Sequence, residues 1–580
     1  MTDGSNNDTN TEIATENSWE GFTNWLHCIC VVTFDLELGQ ALEVKYPKNI
    51  HLTEQETSNI CYSAFPDSNS GCMGDTKFVV RLPCKTKRVL KPEHVNYNNK
   101  CPPSLKIDEG YMWGYVYFRQ VRDINLPRGY FQKSVVLLSY LPFNNLFTEI
   151  CSYIAPEYFD HGDKCLEGVC HNIEKWPSPT SATNIALPVL GHVFQTCIPI
   201  NSIRGYEITG DNRILTQVED FNIFELFKPV LSHIHLLWEL VITSEPIVVM
   251  ASSPTNCSSM VLALTRLIAP LQFCGDYRPY FTIHDSEFKQ YKQYTSKERF
   301  QRFPPPAILG VTNPFFTKTF QHWPHTIILN DDIGKLAYKV VSILYHLLMS
   351  LGQNSKYKLR KPAVTKISEN SSGIYSSYKT FLQKDKNIIK KLMSGVNSNR
   401  PDEAQSALLR KHLVELTHSF MYPLERYIAS LMPLQKDVSA FKAAPIPSPF
   451  NPEHFFATLD TGGPQLTLNK TNIKGDWIGL YRKFFRSRNF NSWYNTRYRE
   501  LSQKLQALHT EALSKADLKN WVQDRPEVEV VDMVLRLKNK LGECEHNIPV
   551  SETVKRQLNQ RIEDVITSLP EDLKNILKIS

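Results

Sequence analysis

The first 18 residues, MTDGSNNDTNTEIATENS, are polar and acidic with no apolar period. They predict a disordered tail, and they lack the basic and apolar regions of a secretory signal. The hydrophobic pattern begins at Trp25. Trp25–Phe34 is a near-continuous apolar run of strand length. DLELGQ (35–40) predicts a turn with Gly39 at positive φ, and Ala41–Tyr46 a second strand stopped by Pro47. Thr53 and Glu56 make a T-x-x-E capping box opening a helix that ends before Pro66. DSNSGCMGD (67–75) is turn-forming throughout. Lys77–Leu82, Gly114–Val121 and Tyr130–Leu138 read as strands, 83–110 as a polar loop, and Pro142–Ile154 as a helix. The order β-β-α-β-β-β-α with short loops predicts an antiparallel sheet covered by helices.

Residues 155–215 read as irregular and Pro-rich, with one or two strands near Pro188–Ile198. Such a joint predicts two separately packed cores on either side of it. Beyond it the pattern alternates. Ile223–Val241 is a helix broken at Pro229, Glu245–Ala251 a fully apolar strand, and Pro254–Ile268 a helix. Tyr280–His284, Ala307–Thr312 and Thr326–Leu329 read as short strands. This alternation predicts a mostly parallel, helix-covered sheet. Residues 331–372 read as a linker or insertion with a cluster of lysines and Arg360. Inside it, Leu336–Leu351 is apolar for about 16 residues, short of the ~20 that span a bilayer, and contains Lys339 and His346. It predicts a buried or interfacial helix. Ile388–Met393 and Ala404–Met432 are helical, a Pro-rich break covers Ala443–Pro452, and 455–580 is helical and charged, with Ser514 and Asp517 as a cap before KNWVQ and Ser551 as a second cap.

The chain has 580 residues, room for three to four domains at about 150 residues each. A net charge of +6 is too small for a nucleic-acid footprint over the whole surface. Thirteen cysteines, several within apolar runs and none in C-x-x-C, indicate a reducing compartment: the cytosol or the cytosolic face of an organelle. His161, Cys165, Cys170 and His171 are the nearest approach to a metal cluster, and isolated thiols are the commoner reading. No metal and no cofactor is expected. The C-terminal KNILKIS carries no prenylation cysteine.

Catalytic signatures are missing: no phosphate-binding glycine loop, no H-E-x-x-H, no G-x-S-x-G. A dispersed Ser-His-Asp triad is not excluded by spacing alone. His284-Asp285-Ser286-Glu287 invites a catalytic reading, against which stands a simple turn or helix cap. Ser252–Ser259 could place an anion at a helix start, but it lacks glycines, so ordinary capping is preferred. Arg482–Arg499, RKFFRSRNFNSWYNTRYR, interleaves basic and aromatic residues. It reads first as a helical hairpin with core aromatics, second as a membrane or partner surface carrying Arg482, Lys483, Arg486 and Arg488, and last as a nucleic-acid stacker.

Several stretches together carry a family resemblance. They are FDLELGQALEVKYP (34–47), FPDSNSGCMGDTKF (65–78), GYVYFRQVRD (114–123), RGYFQKSVVLLS (128–139), LWELVITSEPIVVMASSP (237–254), RPYFTIHDSEF (278–288) and ILGVTNPFF (308–316). EAQSALLRKHLVELTHSFMYPLERYIASLMPLQK (403–436) and KGDWIGLYRKF (474–484) extend them. The sequence resembles the DENN-domain proteins, subfamily six, from about residue 19 to the end. The apolar stretch within 332–355 departs from that pattern.

The resemblance implies an α/β and α+β multidomain chain. A longin-like antiparallel-sheet module (19–160) follows the tail (1–18), and a linker (161–184) leads to an α/β DENN module with a mostly parallel sheet (185–330). After the 331–372 insertion come a downstream helical module (373–440) and a C-terminal helical region (453–580). It implies a guanine-nucleotide exchange factor for a Rab GTPase in endosomal recycling, cytoplasmic and peripheral on recycling endosomes. Such a factor makes and breaks no covalent bond. A Rab-binding adaptor or effector without exchange activity is the alternative, and a hydrolase hidden in the α/β module a more distant one. The expected Rab contacts are polar groups on loops leaving the strands. They are Asp67, Ser68, Asn69, Asp75, Arg119, Gln120 and Arg122 in the first module, and His284, Asp285 and Asn313 in the second.

Overall fold

A computed structural model describes residues 19–67, 72–84, 89–126, 129–180, 184–199, 222–293, 304–329, 372–434, 438–462, 473–523, 525–546 and 548–579. The Leu336–Leu351 stretch, Ser68 and Asn69 lie outside the described residues. The first module opens with α1 (Glu20–Trp25), β1 (Cys28–Asp35), β2 (Gly39–Tyr46), α2 (Glu54–Ser63) and β3 (Gly74–Pro83). It continues with α3 (Pro92–Lys100), β4 (Tyr111–Arg122), β5 (Tyr130–Ser139), α4 (Asn144–His161), α5 (Asp163–Glu174), β6 (Asn184–Val189) and β7 (His192–Cys197). Its sheet has the antiparallel order β2-β1-β5-β4-β3. Gly39 takes φ +77°, which the tight β1–β2 turn requires. Thr53 and Glu56 form the full capping box of α2.

The second module contains α6 (Ile223–Phe227), α7 (Ile234–Ile242), β8 (Ile247–Ala251), α8 (Pro254–Arg266), β9 (Asp276–Arg278), α9 (Phe288–Gln293), β10 (Ala307–Val311), α10 (Phe315–Thr319), β11 (His325–Leu329) and β12 (Gly373–Ser376). Its order is β12-β11-β8-β10-β9, parallel except for the β12 edge. A 3-10 turn containing Pro229 separates α6 from α7, the break that the proline predicts. Helices α11 (Lys386–Asn397), α12 (Asp402–Ser430), α13 (Pro452–Gly462), α14 (Trp477–Phe484) and α15 (Arg488–Lys515) follow. The chain ends in α16 (Leu518–Gln523), α17 (Glu527–His546), α18 (Glu552–Ile566) and α19 (Glu571–Ile579).

Four expectations are corrected. The 83–110 loop contains α3, which starts on Pro92 and turns His94 and Tyr97 inward. Residues 155–199 are largely regular: α4 runs through Pro156 to His161, and α5 and the β6–β7 hairpin follow. Burial of Ile154, Ala155 and Tyr158 offsets the roughly 3 kcal/mol that an internal proline costs. The strand expected at Tyr280–His284 is displaced to Asp276–Arg278, because Pro279 has no N–H to continue the ladder. Finally, the two modules are not packed separately: besides a cluster of its own on the far face of its sheet, the first module shares a core with the second. Helix α8 lies between the sheets: Cys257, Met260, Val261 and Leu264 share one cluster with Phe78, Val80 and Val116 of the first sheet and Val249 and Ile308 of the second. Gly310 in β10 allows this packing, since a Cβ there would stand 2.2 Å from the Pro279 carbonyl and 2.5 Å from Cys257 Sγ.

A buried polar network reinforces the junction. Asp276 Oδ1 accepts from Arg81 Nη1 (3.2 Å) and Tyr111 Oη (3.0 Å), both of the first module. Its Oδ2 accepts from Arg278 Nε (3.2 Å) and Tyr291 Oη (2.5 Å) of the second. Arg278, 1% exposed, also pairs with Glu287 and donates to the Arg81 carbonyl. Arg81 Nη2 pairs with Asp108 at 2.8 Å, and its guanidinium lies over the Tyr111 ring. Burial alone would raise the Asp276 carboxyl, but Arg278, Tyr291, Arg81 and Tyr111 outweigh it and hold it below the usual range. Asp276→Asn leaves two buried guanidinium groups short of an anion. It lowers the unfolding free energy by about 3 kcal/mol in urea titrations; a loss under about 1 kcal/mol contradicts the network's role.

The helical region is tied to the second module by similar devices. Glu239 of α7 accepts the N–H groups of Phe381 (2.9 Å) and Leu382 (2.8 Å). Asn489 of α15 donates to the Val241 and Ile242 carbonyls and accepts from the Cys274 N–H. Helix α15 then continues into a separate apolar cluster formed with α16–α19. Between α7 and α12, His235 and His412 are buried with their Nε2 atoms 3.0 Å apart. Burial lowers both; at His235 the neighbouring His412 adds to it, to about 4, whereas at His412 the charges of Asp385 and Glu415 partly counter it. A depressed histidine contributes stability that is full above about pH 6.5 and is lost as pH falls towards its folded value. Stability therefore falls between about pH 6.5 and 4, by up to about 1.4 kcal/mol per pH unit for His235. His235→Gln, measured by urea midpoints at pH 7, 6 and 5, has a shallower slope. An unchanged slope contradicts this assignment.

Candidate functional site

At one end of the first sheet, β3 and β4 pair with Asp75 opposite Arg119 and Gly74 opposite Gln120. Arg119 grips Asp75 with two bonds, Nε to Oδ1 at 2.6 Å and Nη2 to Oδ2 at 2.9 Å. Tyr117 Oη donates to the same carboxylate at 2.7 Å. Arg119, ahead of Tyr117, holds the Asp75 carboxyl below its usual range. At this partly exposed position the pair contributes about 0.5 kcal/mol to stability, so its main effect is orientation. The Arg119 guanidinium also lies over the Phe159 ring. Gln120 accepts from Gln132 at 2.8 Å and donates to Met73 Sδ at 3.2 Å. Arg122 stands exposed opposite Tyr130.

The other expected residues collect where the first module meets the carboxyl ends of β8 and β10, the edge at which open α/β sheets place their sites. The end of α2 sits on the first sheet, with Ser134 Oγ donating to the Ala64 carbonyl at 2.6 Å and Phe65 packed on Phe118. Asp67 then crosses to the second module: its N–H donates to Tyr280 Oη at 2.8 Å and its carboxylate bonds Asn313. Burial raises the Asp67 carboxyl, while Asn313 and His284 counter it. Asn313 follows β10, is buried, and accepts the Phe315 N–H at 2.9 Å to start α10. His284 stacks on Tyr62 of α2, ring centres 5.0 Å apart. Along β4, Phe118, Gln120 and Arg122 alternate onto the face that α2 covers, whereas Arg119, over Phe159 of α4, lies on the opposite face with its partner Asp75. The face that α2 covers thus forms a rim leading from the end of the first sheet to the Asp67 crossing, with the Asp75–Arg119 pair behind it at the sheet end.

The catalytic reading of 284–287 gives way to a turn. Asp285 Oδ1 accepts the Glu287 N–H at 2.8 Å, and Glu287 is engaged by Arg278. The anion reading of 252–259 also gives way to capping: Ser253 Oγ accepts the Asn256 N–H, and Thr255 Oγ1 donates to the Lys77 carbonyl. Among the described residues, no group of three or more His, Cys, Asp or Glu is placed to hold a metal ion. Cys165 and Cys170 turn into the first module's core. In the basic-aromatic run, Tyr481, Phe484, Phe490 and Trp493 are buried, so these rings are not presented to bases. Lys483 pairs with Glu245 at 2.9 Å, Arg482 lies over Phe456, and Arg482, Arg486 and Arg488 are exposed. No helix among the described residues is long and apolar enough to cross a membrane. Tyr62, Tyr117 and Tyr280 were missed from sequence. Their aromatic character signals core, and their partners lie on other elements.

Comparison with known proteins decides the family. Residues 518–580 match the DENND6 C-terminal domain, and 221–333 match the domain described as stabilization of polarity axis. The chain is 47% identical over 575 residues to Protein DENND6B of Mus musculus, covering 97% of this chain and 94% of the relative. It is 47% identical over 574 residues to Protein DENND6A of Mus musculus, covering 96% and 91%. The chain belongs to the DENND6 family. A more distant relative, the Protein DENND6 homolog of Dictyostelium discoideum, is 29% identical over 603 residues, covering 93% and 80%. In this DENND6-family protein Asp67, Asp75, Arg119, Gln120, Arg122, His284 and Asn313 all fall within the motif segments 65–78, 114–123, 278–288 and 308–316.

Burial raises the carboxyls of Asp285 and Glu287, with Arg278 partly countering in each case. A raised carboxyl contributes its stability below its unfolded value and loses it as pH rises through the folded one. Asp285→Asn keeps the Oδ1 acceptor and removes the charge. It raises the melting midpoint at pH 7 by about 1 °C or more and leaves it unchanged below about pH 3.5. A lowered midpoint at pH 7 contradicts this account.

Proposed function

We propose that this protein promotes GDP release from a Rab-family GTPase in endosomal recycling traffic, and that the Rab sits on the rim formed by both modules. The observation that supports the reading is the joining of the two modules through Asp67, which bonds Tyr280 and Asn313, and through His284, which stacks on Tyr62; Gln120, Arg122 and the Asp75–Arg119 pair at the end of the first sheet extend the proposed footprint. The footprint residues come from four sequence segments and two sheets. Ser68 and Asn69 belong to the same proposed footprint by sequence. The rim supplies hydrogen-bonding groups held by a rigid scaffold, as partner recognition requires. Exchange needs no bond chemistry. It needs tighter binding to the nucleotide-free Rab than to the loaded one. A ~10⁴-fold acceleration corresponds to about 5.5 kcal/mol of that preference, within reach of an interface of about 1,600 Å². The protein acts from the cytoplasm as a peripheral component of recycling endosomes. Exposed Arg482, Arg486 and Arg488 supply its contact with anionic lipid, while Lys483 serves mainly its bond to Glu245.

A fluorescent-GDP release screen across a Rab panel tests the reading. Catalytic amounts of the full chain accelerate release from a small subset of Rabs. His284→Ala and Arg122→Ala, at exposed positions, each slow it about tenfold with little change in melting midpoint. If the chain binds GTP-loaded Rab in preference to the nucleotide-free form and accelerates no release, it is an effector, and the exchange reading is wrong.

A further inference from the structure

Two hairpin turns stand side by side at the rim end of the first sheet. They are neighbours because β1 pairs with β5, Thr33 opposite Lys133, before each strand runs out to its turn. The β1–β2 turn holds Leu36 and Leu38, 65% and 77% exposed. The β4–β5 turn holds Ile124, 97% exposed, flanked by exposed Val121 and Leu126, and exposed Met73 stands just before β3. Isolated exposed aliphatics are ordinary, but a set gathered on adjacent turns marks an interaction surface. Both turns are built. Asp35 Oδ1 accepts the N–H groups of Glu37 (2.7 Å) and Leu38 (2.9 Å). Asp123 Oδ1 accepts from Asn125 (3.0 Å), the Asp123 N–H donates to Gly129 (3.0 Å), and the Gly129 N–H donates to Leu126 (2.8 Å). The aliphatic side chains are thus held outward on ordered backbone, which limits the entropy lost on docking.

Charge selects the occupant. Asp35, Glu37 and Asp123 lie among these side chains with one exposed cation, Arg122, while the nearby Arg119 and Lys133 are engaged by Asp75 and Glu43, so acid is in excess among the described residues here. Insertion into a bilayer would carry Glu37 into hydrocarbon between Leu36 and Leu38, and an anionic lipid surface would repel the turn. An apolar protein surface bordered by basic side chains fits instead. Gln120, which donates to Met73, and the Asp75–Arg119 pair connect the turns to the rim. We propose that the two turns form an acid-flanked aliphatic knob that docks into an apolar, basic-edged surface of the Rab GTPase. This rests on the exchange reading above and extends its footprint beyond the polar residues. The knob provides binding that is the same for loaded and empty Rab, so it sets affinity and leaves the exchange step to the rim.

The test uses the full chain carrying Leu38→Ser, Ile124→Ser or both, with Val528→Ser on α17 as a distant exposed control. GDP release is measured as a function of Rab concentration, with melting midpoints and flotation on phosphatidylcholine vesicles with and without phosphatidylserine. Each single change raises KM about tenfold and the pair about a hundredfold, with kcat within about twofold and midpoints unchanged. The control behaves as wild type. An active wild-type chain whose double variant keeps its KM overturns the knob and leaves the exchange reading standing. So does wild-type flotation that the Ser variants abolish, which would make the knob a lipid anchor, or self-association that they abolish. A wild-type chain inert on every Rab overturns the exchange reading and, with it, this occupant.

Discussion

Asp276 is the constraint on which the rest depends. Its carboxylate binds donors from both modules, with Arg81 and Tyr111 on one side and Arg278 and Tyr291 on the other. A buried anion that depends on two cations and two hydroxyls from different modules loses its compensation if the modules separate. Helix α8 adds an apolar constraint by lying between the two sheets. Independent motion of the modules would expose this core and break the charge network together. The rim is thereby a fixed surface, although its residues are far apart in the chain.

Local interactions were legible in sequence. The capping box of α2, the positive φ of Gly39, the break at Pro229 and the caps at Ser551 and Asp517 each depend on residues within a few positions of each other. Strand periods gave the first sheet to within a few residues at most ends. Long-range compensation was not legible. Pro156 looked like a helix end because the buried contacts of Ile154 and Tyr158 were not visible. The β6–β7 hairpin was legible only as one or two strands near Pro188–Ile198, although its Leu190-Gly191 turn has positive φ at both residues. The shared core was missed because α8 is apolar on two faces, which a single helix covering one sheet does not need.

The site divides in the same way. Asp75 and Arg119 were chosen as strand-end polar groups, and their direct pairing follows from the β3–β4 register. The stacking of His284 on Tyr62, and the bond from Asp67 to Tyr280, arise only when the two modules pack. In the basic-aromatic run, burial of Tyr481, Phe484, Phe490 and Trp493 assigns the rings to the core, leaving three exposed arginines as the surface component.

The central claim is that one partner spans both modules at this rim. Hydrogen exchange of the full chain, alone and with a nucleotide-free Rab that it recognises, tests this most directly. The account predicts that protection rises together at 72–75 and 119–124 in the first module and at 280–288 in the second. Protection confined to one module, or falling on the C-terminal helices while the rim stays unchanged, would contradict it.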